Sequence, residues 1–331
     1  MLSHFSAQFA SLIGGLGMPV LAVREACSLL VVAAFLLLFG VELRAGYRRF
    51  SRRVMRNSYL TNLGSLLFND TLVSLLAVGS LCIVASRYAE FGLLSHVDNP
   101  LLRAGLSFLA LDLSLYGWHL ACHRIEGLWR FHRVHHSDLS MNVSTAFRLH
   151  FMEIVLTTLV KACVVLAMGI ETAVFLVSEA IMTLFVMFHH ANIRFAGESP
   201  MSKVFIVPRL HRAHHSQRRQ EHDNNYGAVF SCWDRLFGTL IDIEPAEIGL
   251  ANVGEHGLWD TIRHGFASLA PPSRPASAEV PVQAMIAEAA YYRAQLRGFQ
   301  PGQEMSDWIL AEREVLSRFG VGKGRHPRSN R

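Results

Sequence analysis

The chain has little charge and few of the residues that build the common soluble metal or redox sites. Asp, Glu, Lys and Arg make up 17% of its 331 residues, against 51% hydrophobic types, which argues against an ordinary soluble domain. Its five cysteines, Cys27, Cys82, Cys122, Cys163 and Cys232, are odd in number and form no CxxC. Four lie in or beside apolar stretches, so neither a disulfide framework nor a thiolate zinc site is expected. No HExxH occurs, which excludes zinc-protease chemistry of that type. No Glu is followed three residues later by His, the spacing of ferritin-like di-iron bundles. The first twenty residues lack a basic stretch ahead of an apolar core, so no cleaved signal is expected there.

Long apolar runs are present. A bilayer span needs ~20 mostly apolar residues. Ala26–Val41 and Thr71–Ser86 are uncharged, and Ala104–Cys122 carries only Asp112 and His119. Met152–Gly169 and Thr172–His189 form a pair broken by two residues. The net charge of +5 does not indicate nucleic acid, because Arg44, Arg48, Arg49, Arg52, Arg53 and Arg56 are gathered between the first two runs. Short basic loops of this kind mark the cytoplasmic side. With that loop inside, alternate crossings bring residues 124–148 and the end of the fifth run to the same side. Lys161 and Glu179 each lie nine residues from Ile170, so an antiparallel pair would set them at one depth as partners.

Histidine is the abundant functional residue. Twelve of 17 fall between His119 and His222. They form an HxxxH (His119, His123), an HxxHH (His132, His135, His136), an adjacent pair (His189, His190) and a second HxxHH (His211, His214, His215). Positions i, i+3 and i+4 share a helix face, so each cluster can aim two or three imidazoles at one point. Neutral imidazole suits iron, zinc and copper. The expected metal ligands are His119, His123, His132, His135, His136, His190, His211, His214 and His215, enough for two ions with positions left open. A structural zinc site needs only four ligands. His150 is an additional candidate. His189 and His190 point about 100° apart, so one of them is expected to do something else; the geometry leaves open which one is a ligand. His222 reads as a surface or supporting residue, and His4, His96, His256, His264 and His326 as solvated.

These residues carry a resemblance. The stretch from Asn62 to Thr239 resembles the fatty acid hydroxylase/sterol desaturase superfamily of histidine-rich membrane oxygenases. It carries Asp112-x3-Tyr116-x2-His119-x3-His123, Trp129-Arg-Phe-His132-Arg-Val-His135-His136-Ser and Asn142-Val-Ser-Thr-Ala-Phe-Arg148-Leu-His150. Phe188-His-His190-Ala-Asn192, His211-Arg-Ala-His214-His215, Asn225-Tyr-Gly and Trp233-Asp-Arg-Leu-Phe-Gly-Thr239 complete it. The last two are similar to segments of alkylglycerol monooxygenase-like and bacterial sterol desaturase-like members. The His-Ala-Asn pattern that carries part of the resemblance favours His190 over His189 as a ligand. One departure is Leu120, where the family often has a basic residue. The resemblance implies two non-haem irons, molecular oxygen and attack on a lipid C–H bond by hydroxylation or desaturation. It also implies an electron donor of ferredoxin, cytochrome or pterin type.

The expected fold is all-α: an integral membrane bundle of four to five spans with a cytoplasmic helical cap carrying the histidine clusters, in a bacterial inner membrane. Residues 1–103 would hold the first spans and the basic loop, 104–270 the di-iron domain, and 271–331 a linker and small helical tail. Glu153, Asp223 and Asp234 are candidate acceptors for imidazole N–H groups, as metal-bound histidines require. Asp112 reads as a supporting acceptor or polar-cavity residue, or else a structural bond to another span, and Asn192 as a weak or water-mediated ligand or a helix cap. In the tail, 282–296 and 305–319 read as two amphipathic helices, similar to a small bacterial domain of unknown function. They read as an accessory pair rather than a docking module for a redox partner. A metal transporter and a non-catalytic lipid-binding relative are the alternative functions. Transport sites lie near the midplane, whereas these clusters sit at the ends of the runs.

Overall fold

The computed structural model describes residues 20–76, 81–82, 86–251 and 253–267, and in the tail 286–287, 289–291, 293–294, 297 and 301–319. The main helices are α1 (Val20–Ala45), α2 (Arg52–Leu75), α3 (Pro100–Arg124), α4 (Glu126–His136), α5 (Phe151–Met168), α6 (Thr172–His190), α7 (Pro208–His214), α8 (Leu258–Phe266) and α9 (Glu304–Phe319). No strand occurs among the described residues, only the isolated bridges Phe205–Phe230 and Ser216–Ile248. Contacts divide the chain into residues 1–267 and 268–331.

Among the described residues, three helices are long and apolar enough to cross a membrane: α1 (from Ala22), α5 and α6. Leu29, Leu36 and Leu37 of α1 are exposed, as lipid-facing leucines are in a protein with no bilayer around it. The second apolar run was expected at Thr71–Ser86, but the helix starts nineteen residues earlier, at Arg52. Ser51 caps it by accepting from Val54 N–H. Its face toward the protein is polar, with Ser58, Thr61, Asn62, Ser65 and Asn69 buried. Residues 77–80 and 83–85 of that run lie outside the described residues. The third run is α3, whose Asp112 is fully buried.

α6 is the centre of this unit, packing against α1, α3, α7 and the 3-10 turn Val143–Phe147. At one end of the α5–α6 hairpin, Gly169 turns in the left-handed region (φ 74°). A Cβ there would meet the Ala89 carbonyl at 2.4 Å, so the turn requires glycine. Arg103 pairs with Glu171 at the same end, 2.6 Å apart. At the opposite end Tyr47 N–H donates to the Asn192 carbonyl (2.8 Å). The arginine loop and the end of α6 bearing His190 therefore lie together. Halfway along the hairpin, Lys161 Nζ and Glu179 Oε2 are 2.7 Å apart; the partnership read from equal spacing is present.

In the second unit, Ile286, Ala311 and Val315 form a small apolar cluster. Arg293 pairs with Glu314 (2.8 Å) and Arg297 with Asp307 (2.6 Å). The 271–277 linker lies outside the described residues.

Candidate metal centre

All nine expected imidazoles converge, and they do so as two groups. His119, His123, His132, His136 and His214 offer ring nitrogens within 4.8 Å of one another, and so do His135, His190, His211 and His215. Each HxxHH was expected to aim at one point, but each divides. His132 and His136 go to the first group and His135 to the second, while His211 and His215 go to the second and His214 to the first. Helical geometry gives the reason. Residues i and i+4 lie about 40° apart, whereas i+3 and i+4 lie about 100° apart. One triplet on a short helix between two centres thus serves both. α4 and α7 supply the triplets, α3 the HxxxH and the end of α6 His190.

The outward nitrogens are fixed by acceptors. His119 Nδ1 donates to the Tyr226 carbonyl (2.8 Å), His190 Nδ1 to the Val186 carbonyl (2.7 Å) and His214 Nδ1 to the Asn224 carbonyl (2.7 Å). A carbonyl can only accept, so these rings carry their proton on Nδ1. Carboxylates hold two more: Glu153 binds His132 Nδ1 (2.7 Å) and Asp223 binds His123 Nδ1 (3.1 Å). The inward Nε2 atoms of all five are then lone pairs. Yet His119 Nε2 faces His132 Nε2 at 3.1 Å, and His190 Nε2 faces those of His135 and His211 at 3.0 Å each. His119 and His132 both carry their proton on Nδ1, so their facing Nε2 lone pairs repel unless a cation lies between them. Around His190 the contacts are N–H···N bonds or metal-facing lone pairs according to the tautomers of His135 and His211. His123 Nε2, His214 Nε2 and both nitrogens of His136 are buried with no partner, which a protein tolerates only where something else binds them.

The rings are also held uncharged. Burial first, then neighbouring imidazoles, keep His135, His136, His211, His214 and His215 well below the usual histidine range. Neutral, preoriented nitrogen donors of this number fit divalent metal ions.

The other candidates lie around this core. His150 is not in it. It caps α5 by accepting from Met152 N–H and lies beside Phe131 and Phe266, with Nε2 3.2 Å from the Ile262 carbonyl. A Cβ on Gly265 would fall 2.3 Å from its ring, so α8 approaches there only because of that glycine. His189 is outside both groups, though its ring lies 4.0 Å from that of His211. His222 is no surface residue: it is buried, stacked on Trp129 and close to Asp223 and His123. His256 and His264 pack together at 5.1 Å, each with a buried nitrogen lacking a partner, rather than standing in solvent. His96 is exposed, and His4 and His326 lie outside the described residues.

Asp112 and Asp234 touch no histidine. Asp112 accepts from Val229 and Phe230 N–H and Trp233 Nε1, tying α3 to the following loop. Asp234 accepts from Tyr226 and Gly227 N–H and from Thr239 Oγ1. Burial, only partly offset by those bonds, raises its carboxyl to about 6. It thereby sets the Tyr226 carbonyl that orients His119. Asn225 supports the same loop in the left-handed region (φ 56°), its side chain bonded to the Leu210 and Ile241 carbonyls. Asn192 is no ligand: its side chain brackets Arg48 through Arg48 N–H and carbonyl. Sequence reasoning missed the carbonyls of Val186, Asn224 and Tyr226, which leave no trace in residue identity. A chamber of 180 Å³ adjoins the histidines, with Leu115, Trp118, Ala146, Leu149, Val186 and Ala228 as its apolar wall.

Residues 104–239 match the family model described as fatty acid hydroxylase. The chain is 29% identical to ornithine lipid hydroxylase of Rhizobium tropici, over 62% of its own length and 65% of the relative's. It is 30% identical to human alkylglycerol monooxygenase over 40% of its length and 29% of the relative's. With mouse cholesterol 25-hydroxylase it shares 28%, over 45% and 47%. The chain thus spans under two thirds of the length of each of these relatives. No solved structure matches it. Residues 282–317 match a family of proteins of unknown function.

Proposed function

We propose that this chain is a membrane-bound oxygenase that hydroxylates a lipid C–H bond, with desaturation the other outcome the same chemistry allows. The observation that carries the reading is the pair of buried, convergent imidazole groups, with the facing Nε2 lone pairs of His119 and His132 in the first and nitrogens without a protein partner in both. His119, His123, His132, His136 and His214 would hold one iron, and His135, His190, His211 and His215 the other. The two ions would supply oxygen activation with electrons from an external donor. The relatives hydroxylate an ornithine lipid, an alkylglycerol and cholesterol, by their names, and this supports a lipid as substrate.

The chain's own residues do the rest. Glu153 and Asp223 orient His132 and His123 and raise their basicity by taking the Nδ1 protons. Ala146, Leu149 and Val186 give the chamber an apolar wall that admits hydrocarbon and excludes water from the reacting centre. The arginine loop and the histidine groups share one end of the bundle, which favours a cytoplasmic centre in four or five crossings. The test is purified protein reconstituted with ferrous iron: about two irons per chain, and lipid hydroxylation that stops without oxygen or reductant. Full turnover by a metal-free preparation would overturn the reading.

A further inference from the structure

The histidine chamber does not stand alone. It shares Leu115, Ala146, Leu149 and Val186 with a second cavity of 560 Å³, lined by α1, α2, α5 and α6. That cavity in turn shares Phe35 and Leu63 with a third, of 800 Å³, between α1 and α2. The three adjoin in series, and their character changes along the way. The middle one is apolar apart from Thr183 and the mutually paired Lys161 and Glu179. The outermost has an apolar wall of Phe35, Leu36, Phe39 and Leu63, and a rim of arginines.

The rim arginines are not equivalent. Arg48 is engaged by Glu244 at 2.7 Å. Arg49, Arg52 and Arg56 also line the cavity and are exposed, and among the described residues they form no ion pair with a carboxylate. The lining's one acid, Glu42, is turned inward, its carboxylate accepting from Tyr59 Oη and from Val143 and Asn192 N–H. The mouth is therefore cationic, and its floor is hydrocarbon. Arg44 and Arg53 belong to the same basic loop but do not line the cavity.

We propose that the cleft between α1 and α2 is the headgroup seat of the lipid that is oxidised, and that this lipid carries an anionic headgroup held by Arg49, Arg52 and Arg56. Its chain passes Phe35 and Leu63 into the middle cavity, toward the histidines. The assignment of the far end rests on the oxygenase reading; the seat itself does not, and the experiment is chosen to keep them apart.

The full chain, purified in a non-ionic detergent, is titrated with pyrene-acyl phosphatidylglycerol and with pyrene-acyl phosphatidylcholine. The expected result is tighter binding of the anionic lipid by about tenfold or more, as a few neutralised basic contacts provide. The Arg49→Gln/Arg52→Gln/Arg56→Gln variant should lose that preference, whereas Arg44→Gln/Arg53→Gln should keep it. Leu63→Trp, at a position 40% exposed, should weaken both lipids by narrowing the passage. Free glycerol 3-phosphate should not displace the lipid at equal concentration. Equal binding of the two lipids, equal loss in both arginine variants, unchanged binding in Leu63→Trp, or displacement by glycerol 3-phosphate would each overturn the proposal. The readout needs no metal, so intact binding by a protein that oxidises nothing would refute the oxygenase and leave the seat standing.

Discussion

Two buried polar assemblies meet at the end of α4, and they are completed to different degrees. The first is built on Asp138, two residues after His136. Its Oδ2 accepts from Ser58, Asn62 and Thr145, each at 2.8 Å, and its Oδ1 from Ser140 N–H and Oγ. Arg148 completes it through Asn62, Ser137 and the Val134 carbonyl. Burial would raise the Asp138 carboxyl, but Arg148 and these donors outweigh it and hold the group below its ordinary value. The second assembly is the set of nine imidazoles, which has acceptors behind it and facing lone pairs in front. A network satisfied by protein alone is scaffold; one whose donors point at each other is half of a larger structure. The two sit side by side because the first holds the loop after α4 and so fixes where the second points.

Breaking each assembly in turn should separate these roles. The largest effect is expected from His136→Ala, which should abolish turnover, beyond the ~100-fold typical of losing a supporting partner. Its thermal unfolding without metal should stay near that of the parent; a large drop there would make His136 scaffold. Asp138→Ala should do the reverse, costing about 3–5 kcal/mol as a buried charge network loses its centre. Calorimetry of the metal-free protein reads this directly, and an unchanged Tm would contradict it. Glu153→Gln comes next, with iron affinity lower by roughly 10–100-fold and the fold intact, measured by competition with a chelator.

Lys161→Leu and Glu179→Leu should each cost ~1–2 kcal/mol, less than a fully buried pair because both side chains are partly exposed. The double variant should recover most of the loss. Additive losses would show that the two do not act as a pair. The smallest effect concerns His264, which burial first and Arg133 next push down to about 4. A histidine lowered in the folded state favours its neutral form. The unfolded chain therefore takes up the extra proton, and stability falls as pH drops from about 6.5 to about 4. His264→Gln should flatten that part of the stability profile by ~1 kcal/mol or less. An identical slope in parent and variant would assign the acid sensitivity elsewhere.

The clusters were legible because histidine spacing is a local property: in an HxxHH on a helix the first and last rings share a face. The division of each triplet was not, since it depends on where α4 and α7 lie between the two groups. His150 was misleading for a related reason. It sits in the motif region and looks like a ligand, but Gly265 lets α8 press onto its ring. His256 and His264 read as solvated, whereas α8 folding back on α4 half-buries them. Of the two readings of His222, surface or supporting, the structure has the second, because the ring stacks on Trp129 beside His123 and Asp223. Asn192 read from its motif as a weak ligand or a helix cap, although its neighbours in space are the residues of the arginine loop. The hairpin pair Lys161–Glu179 was readable because equal distance from a turn is a one-dimensional statement.

Glu42 carries a consequence for how the molecule is made. The carboxylate sits on the first long apolar helix, yet two of its donors, Val143 and Asn192 N–H, are 101 and 150 residues further along. A ribosome delivers that acid long before its partners exist, and only Tyr59 is near in sequence. α1 is thus fastened at this point only once the segment after α6 has emerged and turned back. One side chain ties the completion of the first described helix to the arrival of the chain that follows His190: an order of assembly written into a single carboxylate.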